Sequence, residues 1–115
     1  MIVRVGVDQV SVERIRGAMA RPGFVQRILT ERERSATELG AERLAGRWAA
    51  KEAVAKALLA KPGWHDVQIF NGPEGEPYAE VGPKWMNGEQ YRMHLSISHE
   101  RKSAIAFAVL EKVLS

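Results

Sequence analysis

Hydrophobic and polar positions alternate at the start of the chain. In residues 2–7, "IVRVGV", Val3, Val5 and Val7 fall on one side, which predicts a strand with Asp8 at its end. The period then lengthens. Ser11 as N-cap, with Glu13 in the first turn, predicts a helix that Pro22-Gly23 stops. "FVQRIL" reads as a further helical turn, and Thr30 with Glu33 has the spacing of a capping box for the next helix. That helix continues into, or breaks near Gly40 from, an alanine-rich run reaching about Leu59 and stopping at "KPGW". Thereafter the period is two. "VQIF" and "PYAEV" flank the turn-rich "NGPEGE", and "MHLSIS" and "SAIAFAVL" flank "HERK", so two hairpins are predicted. Strand, then helices, then antiparallel strands make an α+β fold. The expectation is a small single domain over residues 1–115, its antiparallel sheet packed on one long buried helix.

That helix contains "GRWAAKEAVAKALLAK", residues 46–61. On a wheel at roughly 100° per residue, Leu44, Trp48, Ala55 and Leu59 form one stripe, bordered by Lys51 and Glu52. Ala49, Ala50, Ala53 and Ala57 form the opposite face. Neither side reads as open water, yet Arg47, Lys51, Glu52 and Lys56 lie between them. Buried charges are costly unless paired or given a ligand. Glu52 precedes Lys56 by four, a helical ion pair worth only ~0.2–0.5 kcal/mol. That pair leaves Arg47 and Lys51, one turn apart, without an anion.

Composition narrows the options. The chain has 115 residues, 45% hydrophobic and 27% charged, enough for one modest core. No apolar run approaches the ~20 residues that span a bilayer, and no signal peptide is read at the start. Cysteine is absent, which removes disulfides and thiol chemistry and fits a bacterial-type cytoplasm. The net charge of +3 is unevenly spread: residues 1–61 carry 12 Lys+Arg against 7 Asp+Glu, and residues 62–115 carry 5 against 7. Arg14, Arg16, Arg21 and Arg27 fall in a segment, 14–30, that holds no acid. It reads either as a solvated helix face or as a surface for a polyanionic partner.

Asp8 reads as a turn or capping aspartate when taken alone. Taken with Glu52, it makes two hard oxygen ligands from different elements, which suit Mg²⁺, an ion that keeps waters and draws its remaining ligands from substrate phosphates. Arg47, Lys51 and Lys56 then supply counter-charge for a polyphosphate. His99 ends the apolar face of Leu95 and Ile97, a position where histidine is often structural. His65 and His94 have weaker claims. There is no Walker loop, GxGxxG, zinc spacing or Ser-centred elbow. Spacing alone reaches a magnesium-dependent phosphate site and stops there.

In order, "VGVDQVSVERI" (5–15), "FVQRILTERE" (24–33), "LAGRWAAKEAVAKAL" (44–58), "GEPY" (75–78) and "LSISHERKSAIAFAV" (95–109) resemble the holo-acyl-carrier-protein synthase family, the small bacterial 4′-phosphopantetheinyl transferases. The resemblance covers nearly the whole chain. It implies the fold of that family and transfer of phosphopantetheine from coenzyme A to a serine of apo acyl carrier protein, releasing adenosine 3′,5′-bisphosphate. By it, Asp8 and Glu52 match magnesium ligands, and Glu52 also helps deprotonate the serine, directly or through a water. Lys56 matches a phosphate-contacting lysine, and His99 lies in an SxSH motif near the coenzyme. Arg47 and Lys51 fall in the matching basic turn. Arg14 matches a carrier-docking arginine, with Arg21, Phe24 and Arg27 extending that surface. The resemblance further implies a homotrimer with active sites between subunits.

One departure stands out. The family commonly has a glycine-rich "GTG" loop after the KEA helix, lining the coenzyme site, whereas this chain has "LLAKPGWHD". The segment before "LAGRW" is also short. Two other readings compete: a small basic nucleic-acid-binding domain, motivated by the 14–30 arginines, and a relic that binds coenzyme A without turnover. The first calls for aromatics among its cations; the second binds the coenzyme but transfers nothing.

Overall fold

The computed structural model describes residues 1–114. Strand β1 (Ile2–Ser11) leads into α1 (Val12–Met19), α2 (Phe24–Ile28), α3 (Glu31–Ala36) and the long α4 (Ala41–Leu58). Strands β2 (Val67–Asn71), β3 (Pro77–Val81), β4 (Tyr91–His99) and β5 (Ser103–Lys112) follow. The order is the predicted α+β, and both hairpins form: β2 with β3 as a separate ribbon, β4 with β5 as part of a sheet ordered β1-β5-β4, all antiparallel. Ser11 caps α1 by accepting from the Arg14 amide at 3.2 Å. Thr30 and Glu33 close the capping box of α3. The break between α3 and α4 falls at residues 37–40.

The first strand departs from its predicted form. It runs on to Ser11, so Asp8 lies inside the ladder opposite Ala106 rather than at a strand end. The side that carries Val5 and Val7 faces outward: these residues are 54% and 45% exposed, while Gly6 and Val10 are buried. The cause is size. Alanines Ala49, Ala50, Ala53 and Ala57 of α4 and Ala104, Ala106 and Ala108 of β5 are all buried, so helix and sheet meet over small side chains. At Gly6 a Cβ would stand 2.1 Å from the Ala53 carbonyl and 2.9 Å from the Ala57 nitrogen, so only glycine fits. The bulky β-branched and aromatic residues face outward, with Ile105 and Phe107 beside Val7 at 42% and 46% exposure.

Candidate active site

Close approach of β1 to α4 brings carboxylates from two elements together. Asp8 projects on the same side of β1 as Gly6, toward the helix. Lys56 donates from Nζ to Asp8 Oδ1 at 3.2 Å and to the Val7 carbonyl at 2.9 Å. The predicted Glu52–Lys56 helix pair is therefore not made; among the described residues Glu52 forms no ion pair. Burial, then the nearby Asp8 charge, raise the Glu52 pKa, and Lys56 only partly opposes them. Two like-charged carboxylates facing a partly buried gap have the chemistry to hold a cation, and Lys56 meets one of them here. Among the described residues no third His, Cys, Asp or Glu joins them. Such a pair fits Mg²⁺, which takes few protein ligands, better than a closed all-protein cage.

Beside this pair lies a cleft of about 460 Å³, lined by Glu52, Lys56, Leu59, Lys61 and Trp64 among others. Its far wall is the loop that departs from the family pattern. Leu59 ends α4 in the left-handed region, φ 52° and ψ 45°, with its side chain 75% exposed. A leucine there is strained by about 1–2 kcal/mol, and glycine is the usual residue at this position. Leu59→Gly is accordingly expected to raise the melting temperature by about 2–5 °C, after its greater unfolded-state entropy is deducted. Differential scanning calorimetry reads this; a lower melting temperature would mean the exposed leucine makes a stabilising contact.

Lys51 requires a correction. It was expected to face a phosphate, but it is 3% exposed, and its Nζ donates to Glu33 Oε1 at 2.8 Å, the Ile28 carbonyl at 2.7 Å and the Trp64 carbonyl at 2.8 Å. An ammonium has three N–H donors, so none remains for a ligand. Its anion is Glu33, whose other oxygen accepts from the Ile69 amide at 2.9 Å. The capping-box spacing identified Glu33 at the head of α3, while the pairing with Lys51 is a tertiary contact that spacing does not contain.

Arg47 and His99 lie together, but elsewhere. With Arg43, Gly46, Asn71 and Ile97 they line a second cleft of about 470 Å³. Arg47 is 6% exposed and donates to Asn71 Oδ1. Burial first, and the like charge of Arg43 second, hold its pKa below the ordinary arginine value. His99 Nδ1 lies 3.4 Å from Glu42 Oε1. Arg43, one helical turn before Arg47, donates to the Thr37 hydroxyl and was missed, although an i, i+4 spacing on α4 places both on one face. Thus one copy of the chain holds two clefts: Glu52 and Lys56 line the first, beside Asp8, and Arg47 and His99 line the second.

The acid-free segment forms a third surface. The Arg14 guanidinium lies 5.9 Å from the Trp48 ring, and those of Arg21 and Arg27 lie 5.5 and 5.7 Å from the Phe24 ring. Phe24 stacks on Trp48, and Trp48 meets Trp64 at 4.5 Å. Phe24 is only 5% exposed, so it is a platform under the arginines and not itself a surface contact, which corrects its expected docking role. Arg14, Arg21 and Arg27 remain exposed. Arg16 pairs with Glu13 at 2.9 Å.

A sequence model of the 4′-phosphopantetheinyl transferase superfamily matches residues 4–109. The chain belongs to that superfamily. Among relatives in it, the holo-[acyl-carrier-protein] synthase of Salinispora arenicola is 44% identical, with 97% of this chain and 100% of the relative covered. That of a Geobacillus strain is 41% identical over 98% and 99%. In fold, the chain matches the holo-(acyl-carrier-protein) synthase of Bacillus anthracis, solved in complex with CoA (3′,5′-ADP), with TM-score 0.84, 36% identity, and 97% and 98% of the two chains covered. It also matches the Helicobacter pylori synthase, solved in complex with coenzyme A, with TM-score 0.85, 29% identity, and 93% and 99% covered. In this superfamily fold the alanine-faced helix, pressed on the sheet, brings Glu52 and Lys56 toward Asp8.

Proposed function

We propose that this protein transfers the 4′-phosphopantetheine group of coenzyme A to a serine of apo acyl carrier protein, giving holo-carrier and adenosine 3′,5′-bisphosphate, with Mg²⁺ as cofactor. The observation that carries this reading is the Asp8–Glu52 pair with Lys56 beside it, in a chain of the transferase superfamily. Membership also counts against a nucleic-acid-binding domain, because such a domain has no use for two facing carboxylates.

Asp8 and Glu52 would hold the metal, and Mg²⁺ bound there would supply charge neutralisation for the coenzyme's diphosphate. Lys56, turning from Asp8, donates to a phosphate oxygen and fixes the diphosphate in the cleft. The serine Oγ of the carrier forms a bond to the phosphorus bearing the pantetheine arm, and the bond from that phosphorus to the bridging oxygen of the adenosine-side phosphate breaks. Glu52 takes the hydroxyl proton, directly or through a water. The nucleophile belongs to the partner, so the chain needs no nucleophile of its own. Most of the acceleration comes from positioning and charge.

The reading extends to the assembly. The outward sheet face of Val5, Val7, Ile105 and Phe107 is a contiguous apolar surface. A homotrimer covers it, and sets the Arg47–His99 cleft of one copy toward the Asp8–Glu52 cleft of the next, completing one coenzyme site between subunits. No helix among the described residues is long and apolar enough to cross a membrane, and the reading places the enzyme in the cytoplasm with its carrier substrate.

The deciding experiment is intact mass of an apo acyl carrier protein incubated with this protein, coenzyme A and magnesium, with an EDTA control. The expected result is a gain of one phosphopantetheine that EDTA abolishes. Coenzyme binding with no gain on several carriers would identify a relic without turnover. Carrier proteins are acidic, and the exposed arginines complement them. Arg14→Glu is expected to raise the KM for carrier about tenfold and leave coenzyme A affinity unchanged; an unaltered carrier KM in steady-state assays removes Arg14 from the docking surface.

A further inference from the structure

The loop after α4 has almost no backbone donors left for an anion. The Leu59 amide donates to the Lys56 carbonyl at 3.2 Å and the Ala60 amide to the Ala55 carbonyl at 3.2 Å. Pro62 has no N–H. The Gly63 amide donates to Asp66 Oδ2 at 2.8 Å. A phosphate entering the cleft from this side therefore cannot be cradled by successive loop amides, the usual device of a glycine-rich turn. It must be met by a side chain.

Among the lysines lining the cleft, one needs no rearrangement to do so. Lys51 has its three donors engaged, and Lys56 reaches a phosphate only by turning from Asp8, so a second cation has room beside it. Lys61 is exposed, lines the same cleft as Glu52 and Lys56, and makes no hydrogen bond or ion pair among the described residues. Its backbone is held in place. Before it, Ala60 is tied to Ala55; after it, Pro62 restricts Lys61 to extended conformations, and the Trp64 carbonyl is anchored by buried Lys51 at 2.8 Å. An ammonium on a pinned loop loses less freedom on binding than one on a mobile loop.

Resting on the transferase reading, we propose that Lys61 binds the diphosphate of coenzyme A, its side chain serving where the loop's amides do not. It is a binding residue and takes no part in proton transfer. Because Lys61 shares its cleft with Glu52 and Lys56, the diphosphate is assigned to it rather than the ribose 3′-phosphate.

Calorimetric titration of coenzyme A and of dephospho-coenzyme A into the wild-type protein, Lys61→Ala and Lys61→Arg tests this without requiring turnover. The expected result is a Kd about five- to tenfold weaker in Lys61→Ala for both coenzymes, largely restored in Lys61→Arg, in line with one exposed charge-assisted contact. In parallel assays the KM for coenzyme A rises by a similar factor, with kcat within about twofold. A Kd unchanged by Lys61→Ala overturns the proposal. A loss seen with coenzyme A but absent with dephospho-coenzyme A overturns the diphosphate assignment. Failure of the wild-type protein to modify any carrier while coenzyme A still binds would refute transfer, and the Kd comparison would still decide the role of Lys61.

Discussion

Lys51→Met is expected to destabilise the protein by about 3–5 kcal/mol, a large share of the roughly 5–15 kcal/mol of an ordinary domain. The substitution keeps most of the side-chain volume and removes the charge. It leaves Glu33 as a buried carboxylate without its cation, and strips the Ile28 and Trp64 carbonyls of their donor. Each unsatisfied buried group adds a further desolvation cost. Pairing the change with Glu33→Gln should recover part of the loss, because no uncompensated charge then remains and the amide oxygen still accepts from Ile69. Urea denaturation of the two single variants and the double variant measures this as a cycle. A loss below about 1 kcal/mol for Lys51→Met would show that water reaches the pair.

On the proposed reading, Glu52→Gln is expected to lower transfer about a thousandfold or more, since there it would remove both a metal ligand and the proton acceptor. The same variant should be at least as stable as the parent when no metal is present. Folding raises the Glu52 pKa, so the ionised carboxylate is less favourable in the native state than in the unfolded chain. That contribution is harmless below the ordinary glutamate pKa and grows as pH rises through the unfolded and then the folded value. An uncharged amide avoids it. The melting temperature of the metal-free variant should therefore equal or exceed the parent's at about pH 7, with the gap closing near the ordinary glutamate value of about 4. A variant that melts well below its parent at neutral pH contradicts this account; one that keeps normal turnover removes Glu52 from the metal site.

Much of this architecture was legible in local patterns. Turn residues and period-two alternation marked both hairpins, and the caps at Ser11 and Thr30 marked α1 and α3 because they act within one helical turn. The strand itself was legible, but its end and its inner side were not. The ladder carries β1 past Asp8 to Ser11, and α4 comes so close that Gly6 lies inward while the larger Val5 and Val7 lie outside. The site was legible where two elements converge on one small gap, as with Asp8, Glu52 and Lys56. It was not legible for Lys51, whose position in the sequence beside Glu52 hides the fact that the two side chains leave the helix for opposite purposes. Arg47 was grouped with the carboxylates by its place on the helix and His99 by family pattern, whereas one copy of the chain keeps both in a separate cleft.

The sheet order β1-β5-β4 has a consequence for biosynthesis. Among the described residues, the first strand to leave the ribosome has the last one as its only hydrogen-bonded neighbour. The helices can form and collapse meanwhile through local contacts, but β1 waits with both edges open and with Val5 and Val7 uncovered. Closure of the sheet thus waits until β5 has emerged, and β1 is the strand that stays longest without its partner.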